Sequence, residues 1–176
     1  VTDPESMRQF LFAIDDFVPF LFTSICLISV AHFHMTTSLS LTTTIFAVSE
    51  LHSAVIKNHL WHLTTLTEPD IARMIWAGTW VTLNLITAYI IFKVHVWRNI
   101  EISRSTFVAI CALALFNAAH LVRYISAISL KSEYVSLIYH FTIPTINIGL
   151  GVYLAFSLFR DIYDIRIQAR VRRLPR

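Results

Sequence analysis

At 176 residues, with 56% hydrophobic and 14% charged residues and a mean hydropathy of +0.63, the chain departs from soluble globular composition, in which about a quarter of residues are charged. One helical membrane bundle of four to six spans of about 20 residues accounts for this length and leaves almost nothing for a soluble domain. The net charge of +3 is modest and its basic residues gather at the C-terminus, which points to membrane topology and anionic lipid, with no nucleic acid expected.

The polar opening VTDPESMRQ runs into an apolar segment too long for a signal-peptide core and lacking a small-residue cleavage site, so a retained first helix is expected over residues 9–33. Asp15 and Asp16 lie about two turns inside it and Pro19 follows; the acids suit either the headgroup level or a water-accessible vestibule at a kink. The second segment, residues 39–62, is the most unusual, because SELHSAVIKNHLWH sets five ionisable residues where neighbouring hydropathy demands a span. At about 100° per residue, Glu50 and Lys57 share one stripe and His52 and His59 share another almost opposite. Such a helix must be wrapped by protein, or be re-entrant or interfacial, in which case four spans remain.

Pro69 beside Glu68 and Asp70 marks the start of a third helix reaching about Trp97. Its Trp76 and Trp80 suit interfacial or packing roles, Asn84 suits an interhelical hydrogen bond, and Lys93, His95 and Arg98 mark its exit. The fourth span, residues 103–128, holds the small-residue run AICALALFNAAH, which favours close helix approach. Asn117, His120 and Arg123 follow one another on one broad face, and the arginine is expected to snorkel or to pair with a carboxylate. The fifth span, residues 133–159, carries His140 four residues before Pro144, whose ring leaves the His140 carbonyl without its helical donor. The tail RDIYDIRIQARVRRLPR sets apolar residues at helical spacing beneath arginines that include Arg166, Arg170, Arg172 and Arg173. It suits contact with an anionic leaflet or a cytoplasmic protein partner.

The expected architecture is thus an all-α polytopic membrane protein with one bundle, residues 1–160, and a basic amphipathic tail, residues 161–176. With five spans, nine of the 14 lysines and arginines fall on the C-terminal side and five on the other, so the positive-inside rule places the C-terminus in the cytoplasm and the N-terminus outside. Counting about 1.5 Å per residue along each helix puts Asp15, Asp16, His52, His59, His120 and His140 in the same outer half. Four readings of these groups follow. Asp15, His59, His120 and His140 offer donors for a transition metal. His120 with His140 or His52 offers axial ligands for a b-type haem, although three glycines in the whole chain provide poorly for close porphyrin approach. Asp15, Asp16, Glu50, His52, Lys57, Asn117, His120 and Arg123 could line an ion or proton path, most simply in a homo-oligomer. The fourth reading needs no cofactor: the polar groups lock helix packing in a membrane subunit that senses or transmits a signal within a larger assembly. Nucleophile elbows, phosphate-binding glycine loops and HExxH pairs are absent from the sequence, and Cys26 and Cys111 both fall in apolar runs, which argues against an enzyme and against a disulfide framework.

Overall fold

A computed structural model of the chain describes the backbone of residues 4–129 and 133–171, and side chains within residues 16–129, 135 and 138–168. The described residues form five helices, α1 (Pro4–Phe33), α2 (Ser38–Thr65), α3 (Pro69–Arg98), α4 (Arg104–Ser129) and α5 (Glu133–Val171). All five are long and apolar enough to cross a membrane, so the protein is an all-α polytopic membrane protein. The second segment is not re-entrant. It is one unbroken helix of 28 residues, roughly 42 Å long at about 1.5 Å per residue.

Local chemistry fixes the helix ends. The Thr37 hydroxyl caps α2 by accepting from the Ser40 backbone N–H at 3.2 Å, which satisfies one of the donors a helix start leaves open. Pro69 stands at the first position of α3, where its missing N–H costs nothing. At the other end of α3, Asn99 adopts a left-handed φ of 55°, and the Asn99 and Ile100 amides return to Val96 and His95 carbonyls at 3.2 and 3.0 Å. This is the paired closure that ends many helices, with asparagine taking the place glycine usually holds. Both Pro19 and Pro144 lie inside helices that continue through them.

The helices form a closed ring in chain order, with α1 also packed against α5 and α2 touching α4 and α5 across the middle. Gly151 allows the α1–α5 seam to close, because a Cβ there would stand 2.5 Å from Leu21 Cδ2 and 3.1 Å from its Cγ. The middle of the bundle is apolar: Phe22 stacks on Phe46 with ring centroids 5.5 Å apart, and Ile91, Leu113 and Leu154 complete the layer.

The two halves of α2 differ sharply. Residues Ser38 to Thr43, with Phe46 and Ala47, are buried, whereas beyond Ala47 only Leu60 is. The ring is therefore tight at the end carrying the α1–α2 turn and looser at the end carrying the α2–α3 turn. The tight end is held by hydroxyls. Ser38 Oγ stands 2.8 Å from His95 Nε2, 2.7 Å from Thr106 Oγ1 and 3.0 Å from the Ser103 backbone N–H that donates to it. Thr42 Oγ1 joins Thr106 Oγ1 at 2.7 Å, and His95 Nδ1 bonds the Ile91 carbonyl at 2.7 Å. Since a carbonyl only accepts, Nδ1 carries a proton, and in the neutral ring Nε2 accepts from Ser38. His95 is thus no exit residue facing the headgroups, as its neighbours Lys93 and Arg98 imply in sequence; it is 1% exposed and ties α3 to Ser38 of α2, which in turn bonds Thr106 of α4.

Candidate functional site, a polar cavity in one half of the bundle

The looser half encloses a cavity of about 520 Å³ to which all five helices contribute. From α2 come Glu50, Ser53, Lys57 and Asn58; from α1 comes Asp16, and from α3 come Trp76, Trp80 and Asn84. The inward stripe of α2 is therefore the Glu50 and Lys57 stripe, not the histidine stripe. Lys57 Nζ stands 3.6 Å from Asp16 Oδ1, with the Asp16 side chain 78% exposed and that of Lys57 25% exposed. This pair joins α1 to α2 where the cavity reaches the surface. Glu50 lies seven residues further along α2, roughly 10 Å deeper.

The facing wall comes from α4 and α5. Here the Tyr139 hydroxyl and His120 Nδ1 are 2.9 Å apart, and the Arg123 guanidinium stands 4.3 Å from the centre of the Tyr139 ring. A run of aromatic rings follows this wall through Trp76, Trp80, His120 and Tyr139 and extends beyond it to Trp61 at one end and His140 at the other, each ring 5.4 to 6.4 Å from the next. At the floor, Asn84 donates to Asn117 Oδ1 at 3.0 Å and Ser49 pairs with Thr87 at 2.8 Å. Below them lies the Phe22 and Phe46 layer, which separates the cavity from the hydroxyl cluster of Ser38, Thr42, Thr106 and His95.

The sequence-predicted residues divide accordingly. Asp16, Glu50, Lys57 and His120 share the cavity, Asn117 supports its floor, and Arg123 lies over the Tyr139 ring in its wall. Arg123 thus finds an aromatic face, a favourable neighbour for a guanidinium. His52 and His59 are exposed on the outer face of α2, away from His120 and His140. His140 stands beside Tyr139, with ring centroids 5.7 Å apart. Among the described residues no three or more His, Cys, Asp or Glu side chains come close enough together to hold a metal ion. The side chains of Asp15 and Arg170, and Arg172 and Arg173 as a whole, lie outside the described residues; Arg166 is exposed on the far part of α5. Sequence reasoning missed the cavity roles of Trp76, Trp80, Tyr139 and Asn147. Their signal was spacing: Trp76, Trp80 and Asn84 recur every fourth residue along one face of α3.

Comparison of the chain with protein-family models, with curated proteins and with solved structures gives no match.

Proposed function

We propose that the protein is a sensory membrane subunit that binds a small molecule in this cavity and relays occupancy through its helices to the basic end of α5. The observation that carries this reading is the cavity's form: charged and aromatic walls, a floor of paired amides and hydroxyls, and an apolar layer beneath it. A volume of 520 Å³ falls within the usual range for small-molecule sites, about 300–1,000 Å³. Charged side chains inside a membrane bundle commonly mark such functional sites. A through-going ion path is less favoured in a single copy, because Phe22, Phe46 and Leu154 would interrupt it.

In the orientation favoured by the positive-inside rule, the cavity faces outward and the α5 extension, with Arg160 and Arg166 exposed, lies in the cytoplasm. There it docks an acidic partner or anionic lipid. Membership of an assembly is supported by α2, whose exposed His52 and His59, one above the other two turns apart, would otherwise face lipid. A second copy or another subunit covers that stripe, and a His52→Cys variant should then cross-link within membranes.

The test is side-specific labelling of Ser53→Cys with a membrane-impermeant thiol reagent, in a chain whose Cys26 and Cys111 are replaced by alanine. Labelling is expected only from the side opposite the C-terminal arginines, with Thr42→Cys unlabelled from either side. Protection of Ser53→Cys from both sides would remove the cavity, and equal labelling from both sides would favour conduction.

A further inference from the structure

We infer that two copies of the chain pair through the outer face of α2 and that His59 and His62 of each copy hold a zinc ion between them. This rests on the reading in which a second copy covers the histidine stripe, and adds the geometry of the seam and the metal. Periodicity gives the first support. Val48, His52, Val55, His59 and His62 follow one another at intervals of four, three, four and three residues, and all five are exposed, the two valines at 63% each. At about 100° per residue they fall within about 80° of the helix circumference. So narrow a stripe, with an average repeat of about 3.5 residues, is the seam of a left-handed helix pair. The Glu50 and Lys57 stripe of α2 already faces the cavity, so this second seam fits a helix from outside the bundle.

Membrane topology gives the second support. Copies of one chain insert in the same direction, so two α2 helices meet in parallel about a two-fold axis along the bilayer normal, and residues of equal depth face one another. Val48 and Val55 then pack on their counterparts, and each histidine meets its own copy at the same level. An imidazole in a span needs a polar partner, and a second copy supplies one at all three levels. Ligand spacing gives the third support. His59 and His62 lie three residues apart and are neighbours on the helix surface, the spacing at which two side chains of one helix serve a common metal centre in helical bundles. Among the described residues of one copy no three or more donors come together, so the site is complete only in the pair. Four imidazoles suit tetrahedral zinc. His62 stands in the last turn of α2, which sets the site at the end of the span, with an entry path for the ion and water close enough to moderate its charge. His52 lies two turns from His59, roughly 10 Å away, and serves the seam without reaching the metal.

The full chain in mixed micelles, equilibrated with zinc sulfate and desalted, is expected to retain about one zinc ion per two chains by elemental analysis. Zinc should tighten self-association in sedimentation equilibrium about tenfold or more, and EDTA should reverse it. His59→Leu and His62→Leu should each abolish both effects, whereas His52→Leu should keep the zinc. Within membranes, Val48→Cys in a chain whose Cys26 and Cys111 are replaced by alanine should form a disulfide-linked dimer, while Leu85→Cys, exposed on α3, should not. No retained zinc, zinc retained by a monomer, or zinc retained by the His59→Leu, His62→Leu double variant overturns the metal site. If Val48→Cys still cross-links in that case, the pairing of two copies stands and the metal alone falls. Cross-linking of Leu85→Cys without Val48→Cys overturns the seam, and the metal site with it.

Discussion

Ser38→Ala tests the closure of the tight end most directly, because one oxygen there serves three partners on α3, α4 and the turn between them. The substitution deletes a hydroxyl that His95 Nε2, the Ser103 amide and Thr106 Oγ1 all use at 2.7 to 3.0 Å. Thr106 retains Thr42 and Ser103 as partners. His95 Nε2 and the Ser103 N–H lose the partner Ser38 gave them, and each buried polar group left unpaired costs about 1–3 kcal/mol. In a bilayer the measured worth of side-chain hydrogen bonds is lower, about 0.6 kcal/mol on average and about 1.7 at most. The structure favours the upper part of that range here, since Ser38 is 7% and His95 1% exposed. The expected loss is about 2–4 kcal/mol, read as a shift in reversible unfolding in mixed micelles. Pairing it with His95→Leu gives a second handle: the two losses should fall short of additivity by about 1 kcal/mol or more, because the double variant no longer buries a lone imidazole nitrogen. Ser38→Ala within about 0.5 kcal/mol of the parent, or full additivity in the cycle, would refute the shared-hub arrangement.

Other positions make sharper, smaller demands. Gly151→Val should cost about 1–3 kcal/mol, because its branched side chain has to displace Leu21 at the α1–α5 seam; Gly149→Val, with nothing within 4 Å of its added Cβ, should cost far less in the same unfolding assay. Asn84→Leu leaves the Asn117 amide without its 3.0 Å partner and should destabilise by about 1 kcal/mol, a loss that Asn84→Leu with Asn117→Leu should largely recover. Tyr139→Phe removes the 2.9 Å bond to His120 but keeps the ring under Arg123, so it should lower the melting temperature less than Tyr139→Leu. Replacing Arg160 and Arg166 by Gln should weaken sedimentation with anionic vesicles and leave it with neutral vesicles unchanged; equal loss with both would refute an electrostatic role for the α5 extension.

Much of the architecture can be read in the sequence, because membrane spans declare themselves by long apolar runs and Thr37 and Pro69 punctuate them. The predicted second span differs from α2 by one residue at its start and three at its end, even though its polar residues raise doubt about whether it crosses at all. Which face of a two-striped helix turns inward is not a local property. Glu50 with Lys57 and His52 with His59 are equally periodic, and the choice depends on Asp16 arriving from α1 and the aromatic wall arriving from α3 to α5. His95 illustrates the opposite failure. It lies between Lys93 and Arg98, which suggests an interface, yet Asn84, Thr87, Ile91 and His95 fall on one stripe of α3, three or four residues apart. In a membrane helix a stripe of short polar side chains marks the protein-facing side, because lipid cannot satisfy them. The exit-residue reading followed charge proximity along the chain where periodicity was the better guide.

The apolar layer between the two polar ends constrains how any signal could cross this protein. Phe22, Phe46, Ile91, Leu113 and Leu154 pack there with little or no exposure, so an apolar layer stands between Glu50 and His95. What does link the ends is helix. α5 is a single element of 39 residues that carries Tyr139 and Asn147 at the cavity, Gly151 at the α1 seam and Arg160 and Arg166 beyond the core. A ligand that binds more tightly when Tyr139 and Asn147 approach α2 and α3 favours one placement of α5, and packed helices shift as rigid bodies between discrete arrangements. In the proposed relay, displacement at the cavity would reach the arginines through the helix itself. Beyond Ala47 only Leu60 of α2 is buried, whereas the hydroxyl cluster around Ser38 ties the opposite end of α2 to α3 and α4. Coupling of this kind predicts that Gly151→Val, which touches neither the cavity nor the tail, should alter both the labelling rate of Ser53→Cys and vesicle binding; a folded Gly151→Val variant that leaves both unchanged would refute a relay through α5.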